Sequence, residues 1–132
     1  MVVAFLMRSP LYVKNRTTGF GGNYNGYVAF KEELPLTYQS AGTWFSNNGV
    51  LDDLIKIRSE ITFDTKSLCK ETAIIPLTAI PEDIHEYRVI GFDTAHFGDT
   101  AEYWTFERTK EETLNLKKQI EDLIAKRYGI NS

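Results

Sequence analysis

The sequence predicts an α+β fold: a mainly antiparallel β-sheet packed by one long C-terminal helix, in a single domain over residues 1–132. Three observations carry that prediction. Short apolar runs separated by turn residues fill most of the chain up to Phe92, and one amphipathic pattern of helical period occupies the end. Strands come first and the helix last, without the alternation that builds parallel crossover units. With 132 residues, 42% hydrophobic and 13% aromatic, the chain is long enough for a core and too apolar for disorder.

The elements follow in order. Residues 1–7 are apolar and stop at Arg8, Ser9 and Pro10; they lack a basic lead and are too short for a span, so a buried strand in a cytoplasmic protein is expected. Residues 11–14 read as a short strand and residues 15–26, rich in Asn, Thr and Gly, as the turn that returns the chain into Tyr27, Val28, Ala29 and Phe30. Residues 35–49 gather Pro, Ser, Asn and Gly around Trp44 and Phe45, a long loop whose aromatics either pin it down or touch a partner. Ile55, Ile57, Ile61 and Phe63 alternate with Lys56, Arg58, Glu60 and Thr62, which predicts a strand with one buried face and with Arg58 and Glu60 on the other. Residues 72–77 are a further short apolar run, residues 81–86 make one helical turn, and residues 86–92 are a central strand. Thr109 and Glu112 have the spacing of a capping box, Leu116, Ile120, Leu123 and Ile124 make an apolar stripe, and Gly129 is placed to stop the helix.

Charge and cysteine usage exclude several classes. Fifteen Lys+Arg against eighteen Asp+Glu give a formal charge of -3, which repels nucleic acid as a whole, so neither a nucleic-acid nor a membrane partner is expected. The single Cys69 cannot form an intramolecular disulfide, and one cysteine with two histidines cannot build a structural zinc site. Cys69 also has no assignable base and reads as a buried or semi-buried thiol. Gly19, Gly21 and Gly22 form a glycine-rich run with no helix behind it, a hairpin turn rather than a phosphate cradle, and no cofactor is implied.

Two constellations remain. Gly91, Phe92, Asp93, Thr94, Ala95, His96, Phe97, Gly98 and Asp99 follow the central strand, and Asp93, His96 and Asp99 fall at i, i+3 and i+6. Carboxylate with imidazole is a ligand set for a divalent metal that activates water; the structural alternative has both Asp side chains satisfying turn amides. In the second constellation, Lys56, Arg58 and Glu60 share a strand face while Arg88 shares one with Ile90 and Phe92. They form either a pocket for an anionic ligand or an ordinary sheet face with cross-strand ion pairs. Arginine beside Tyr27, Trp44, Phe92 or Trp104 could grip a phosphate and stack on a base.

Three blocks taken together resemble a family of small uncharacterised proteins of tailed phages and prophages. These are Gly26, Tyr27 and Val28 in the first, residues 52–63 in the second, and Gly91, Phe92, Asp93, Ala95, His96, Gly98 and Asp99 in the third. The second block departs from the family pattern, which has His-Gly-Gly where this chain has Arg58, Ser59 and Glu60. That change suits a binding surface retuned from imidazole to a guanidinium and a carboxylate. The resemblance implies an accessory protein in a host cytoplasm, working stoichiometrically as a homo-oligomer. It would sequester a small anionic, nucleotide-like signal in a counter-defence role or block a host protein. The ligand-binding candidates are Tyr27, Arg58, Glu60, Arg88, Phe92, Asp93, His96, Asp99 and Trp104. The alternative is a metal-assisted hydrolase using Asp93, His96 and Asp99.

Overall fold

The computed structural model describes residues 1–9, 21–32, 34, 55–58, 61–66, 68, 73–95 and 98–128. The expected features at residues 11–14, the loop around Trp44, Glu60, Cys69, His96 and Gly129 lie outside them. The apolar opening forms β1 (Val2–Arg8), which pairs antiparallel with β2 (Tyr24–Phe30), Val2 opposite Phe30 and Arg8 opposite Tyr24. β2 in turn pairs with β5 (Arg88–Phe92), and β5 with β3 (Phe63–Thr65). β4 (Ile75–Pro76) closes the far edge against Phe5 and Leu6, giving the order β3-β5-β2-β1-β4 with every pair antiparallel. Val3, Ala4, Phe5 and Leu6 are all fully buried, so β1 is apolar without alternation because both faces of the sheet are covered there.

One face is covered by α1 (Phe106–Tyr128). The predicted stripe is the packing stripe: Leu116, Ile120 and Ile124 are buried and Leu123 partly so, against Val28, Phe30, Ile90 and Phe92. In the first turns of α1 the buried positions are Thr109, Glu112 and Thr113, and the two threonine hydroxyls donate to the carbonyls one turn back, Thr105 at 2.9 Å and Thr109 at 2.7 Å. The smaller threonine side chains let α1 approach β2 closely. A Cβ at Gly26 would meet the Thr113 hydroxyl and lie 2.5 Å from the Phe92 ring. On the other face Phe5 stacks on Tyr27 at 5.5 Å between ring centroids and Phe63 meets Tyr27 edge-on at 5.3 Å. A Cβ at Gly91 would lie 2.5 Å from both the Tyr27 ring and the Gly26 carbonyl, so this motif glycine makes room for the aromatic beside it.

Two local expectations are corrected. The alternating stretch does not make one strand, since Phe63–Thr65 is the paired part and residues 55–58, without regular secondary structure, lie against α1 rather than in the sheet. Burial still alternates, with Ile55 buried and Lys56 exposed, because α1 supplies the polar partners: Lys56 N–H donates to Gln119 Oε1 at 2.7 Å, and Gln119 Nε2 donates to Lys56 O at 2.8 Å. The helix also begins a turn earlier than the Thr109–Glu112 spacing suggests. Thr105 Oγ1 accepts the Arg108 N–H at 3.1 Å, which makes Thr105 the N-cap and leaves Thr109 inside the helix.

Candidate functional site

The strands β1 and β5 end on the same side of the sheet, and β2 starts there. That convergence places Arg8 and Ser9, Asn25 and Tyr27, and Phe92 and Asp93 around one cavity of about 520 Å³. Thr62 and Phe63 add a wall from the β3 side. Register explains the grouping: Met7 faces Asn25 and Gly26 faces Phe92, so residues from three separate parts of the sequence meet at one sheet end.

The polar groups in this cavity are held in place. Asp93 N–H donates to Thr62 Oγ1 at 3.1 Å, and Asp93 Oδ1 accepts the Ala95 N–H at 3.1 Å, closing a turn immediately after β5. Asn25 Oδ1 accepts the Thr94 N–H at 3.1 Å and its hydroxyl at 3.3 Å, which ties the start of β2 to the segment after β5. Burial pushes the Tyr27 phenol above its ordinary pKa; a hydrogen bond from Asn25 opposes the shift and the nearby Asp93 charge adds to it. Tyr27 is therefore a neutral hydrogen-bond donor at physiological pH, with a carboxylate and a carboxamide beside it.

Of the sequence candidates, Tyr27, Phe92 and Asp93 meet in this cavity. Trp104 does not join them on its surface; it is 2% exposed, packs on Phe92 at 5.8 Å between ring centroids, and donates from its indole N–H to Asp99 Oδ1 at 3.1 Å. Asp99 also accepts the Gly21 N–H through its carbonyl at 2.7 Å, and Gly98, with φ of 90°, takes the left-handed turn just before it. The carboxylates of Asp93 and Asp99 thus both receive hydrogen bonds from neighbouring groups. Among the described residues no group of three His, Cys, Asp or Glu side chains is placed to hold a metal ion. His96 and Glu60 lie outside the described residues.

The two arginines go to different carboxylates. Arg88 forms a bidentate cross-strand pair with Asp64, Nη2 to Oδ2 at 2.7 Å and Nε to Oδ1 at 3.1 Å, with its guanidinium 5.6 Å from the Phe30 ring centroid. Arg58 lies 3.5 Å from Glu112 on α1 and lines a separate groove with Lys56 and Arg108. Nothing in the local pattern marks Arg8 and Asn25 as site residues, although Arg8 ends an apolar strand and Asp93 directly follows β5. No family model, curated protein or solved structure matches the chain, which leaves these two openings as the basis for a functional reading.

Proposed function

We propose that the protein is a non-enzymatic binding module that holds one small anionic ligand in the sheet-end cavity, as an accessory protein of the phage type that sequesters a nucleotide-like signal. The observation that carries this reading is the meeting of Arg8, Tyr27, Phe92 and Asp93 around one opening. Its volume of about 520 Å³ falls within the roughly 300–1,000 Å³ of small-molecule sites. The residue chemistry suits a two-ended ligand. The Arg8 guanidinium matches an anionic group, the partly buried Phe63 offers an apolar wall for a planar ring, and Tyr27 and Asp93 offer a donor and an acceptor for its edge. Nothing in that set supplies an activated nucleophile with its base, so retention rather than turnover is the simpler use.

The test is to heat-denature purified full-length protein, grown in cells with and without an active nucleotide-signalling defence, and to identify released small molecules and metals by mass spectrometry. Near-stoichiometric release of a nucleotide from the wild type, lost in Tyr27→Phe and Asp93→Asn proteins that melt like the wild type, is the expected result. Release of nothing but a divalent metal, or retention of the nucleotide in both variants, would overturn the assignment.

A further inference from the structure

The groove that Arg58 lines lies between residues 55–58 and the first turns of α1, encloses about 420 Å³ and shares no lining residue with the sheet-end cavity. Its ionic lining is Lys56, Arg58 and Arg108 against Glu111 and Glu112. Among the described residues, cations outnumber carboxylates here, in a chain whose formal charge is -3.

Both guanidiniums are fixed at one end. Glu112 is 5% exposed; its Oε2 lies 3.5 Å from Arg58 Nε while its Oε1 accepts from Asn115 Nδ2 at 3.1 Å. Asn115 and Gln119, further along the same face of α1, hold the Lys56 backbone, so the segment carrying Arg58 is clamped to the helix on both sides of Ile57. Arg108 donates from Nη1 to the Tyr103 carbonyl and lies 4.3 Å from the Tyr103 ring centroid. A guanidinium carries five N–H donors, and each of these anchors engages only part of the fork. The Arg58 side chain is 53% exposed, so its remaining donors are accessible from the groove.

We propose that this groove is a second binding site, which takes a terminal phosphate group between Arg58 and Arg108, with Lys56 adding charge. Two forks and an ammonium suit a tetrahedral group with three terminal oxygens and about -1.5 to -2 charge at neutral pH better than a planar carboxylate of single charge. Glu112, paired with Arg58 and Asn115, offsets part of the cationic charge of the groove. Glu111, exposed at the rim, opposes the anion and sets an upper limit on affinity. A small phosphate ester and free inorganic phosphate share this chemistry.

The experiment follows the Arg58 and Arg108 side-chain Nε–H signals of the full chain by NMR while phenyl phosphate or inorganic phosphate is added at fixed ionic strength. Saturable shifts of both signals are expected, with phenyl phosphate the tighter ligand if the natural one is an ester and inorganic phosphate the tighter if it is the free ion. Arg58→Gln and Arg108→Gln should each weaken binding about tenfold, the scale of losing one charged hydrogen-bond partner. Glu111→Gln should tighten binding about two- to threefold by removing a like charge at the rim. Because Arg58→Gln also strips Glu112 of its cation, Arg108→Gln, which leaves that pair intact, keeps the test readable if the first variant unfolds. No saturable shift in the wild type with either probe, or equal binding by wild type and Arg108→Gln, would overturn the proposal.

Discussion

The two faces of the sheet are covered in different ways. On one, Val28, Phe30, Ile90 and Phe92 meet a single continuous helix through Leu116, Ile120 and Ile124, with Trp104 sealing the end. On the other, Phe5, Tyr27, Tyr87 and Val89 are overlaid by short pieces of chain that bring in Leu68, Ile74, Ile80 and Ile84, several of them only partly buried. A long helix gives a continuous apolar cover, whereas short pieces leave room at their margins. The cavity opens at such a margin, beside Tyr27. Tyr27 and Tyr87, the buried tyrosines among the described residues, both belong to this second face. The helix-covered face therefore has the continuous core, and the patchwork face has the margin at which the sheet-end cavity opens.

The largest effect that separates the faces is truncation of their covers. Ile120→Ala removes a fully buried side chain from the helix contact and should cost about 2–5 kcal/mol, the range for large-to-small core changes. Ile80→Ala on the patchwork face should cost about 1 kcal/mol, since that side chain is partly exposed already. Urea unfolding of the two variants measures both. Equal losses would break the distinction, because they would mean that the patchwork cover is as well packed as the helix.

The same difference explains what could be read in the sequence. The helix stripe at Leu116, Ile120, Leu123 and Ile124 and the strands around Val28 and Ile90 follow from local periodicity, and all of them are in the structure. Asp93 stands out in the sequence as a carboxylate just after an apolar strand, and Tyr27 and Phe92 as aromatics on strands; the structure brings the three to one cavity. Arg8 and Asn25 do not stand out, because their arrival at the same cavity depends on the β1–β2 register, a pairing of residues far apart in sequence. Residues 55–58 show the converse failure. Their alternation has the period of a strand, yet their hydrogen bonds come from Gln119 and Asn115, about sixty residues later, and no local pattern reports that. The period of two puts Arg88 on one face with Ile90 and Phe92, but its carboxylate partner, Asp64, comes from the neighbouring strand.

A smaller effect tests how the helix cover is anchored. The Thr109–Glu112 spacing imitates a capping box, while the N-cap hydrogen bond belongs to Thr105, followed at the third position by Arg108 rather than an acid. Thr105→Ala should cost about 1 kcal/mol and Thr105→Asp should restore most of it, since Asp caps well and also favours the positive end of the helix. Denaturation midpoints give the answer. Because Thr105 serves the helix-covered face, the Ala variant should leave ligand release from the sheet-end cavity unchanged; a lost ligand would couple the two faces.

The smallest effect at neutral pH, and the most selective for the patchwork face, belongs to Tyr27→Phe. The ring keeps its contacts with Phe5 and Phe63, so stability at pH 7 should change little. At alkaline pH the variants should diverge. The folded protein holds the phenolic proton more tightly than the unfolded chain does, because burial disfavours the phenolate and Asp93 repels it. The unfolded state therefore loses its proton first, from about pH 10 upward, and the stabilisation from holding that proton, complete below that point, is lost as pH rises toward the folded pKa. Wild-type stability should fall more steeply than that of Tyr27→Phe through this window, and the absorbance change of one tyrosine should move to higher pH than in the unfolded chain. Parallel stability curves would mean that the phenol is open to water in the folded state, and the cavity would then lack the dry donor on which its chemistry depends.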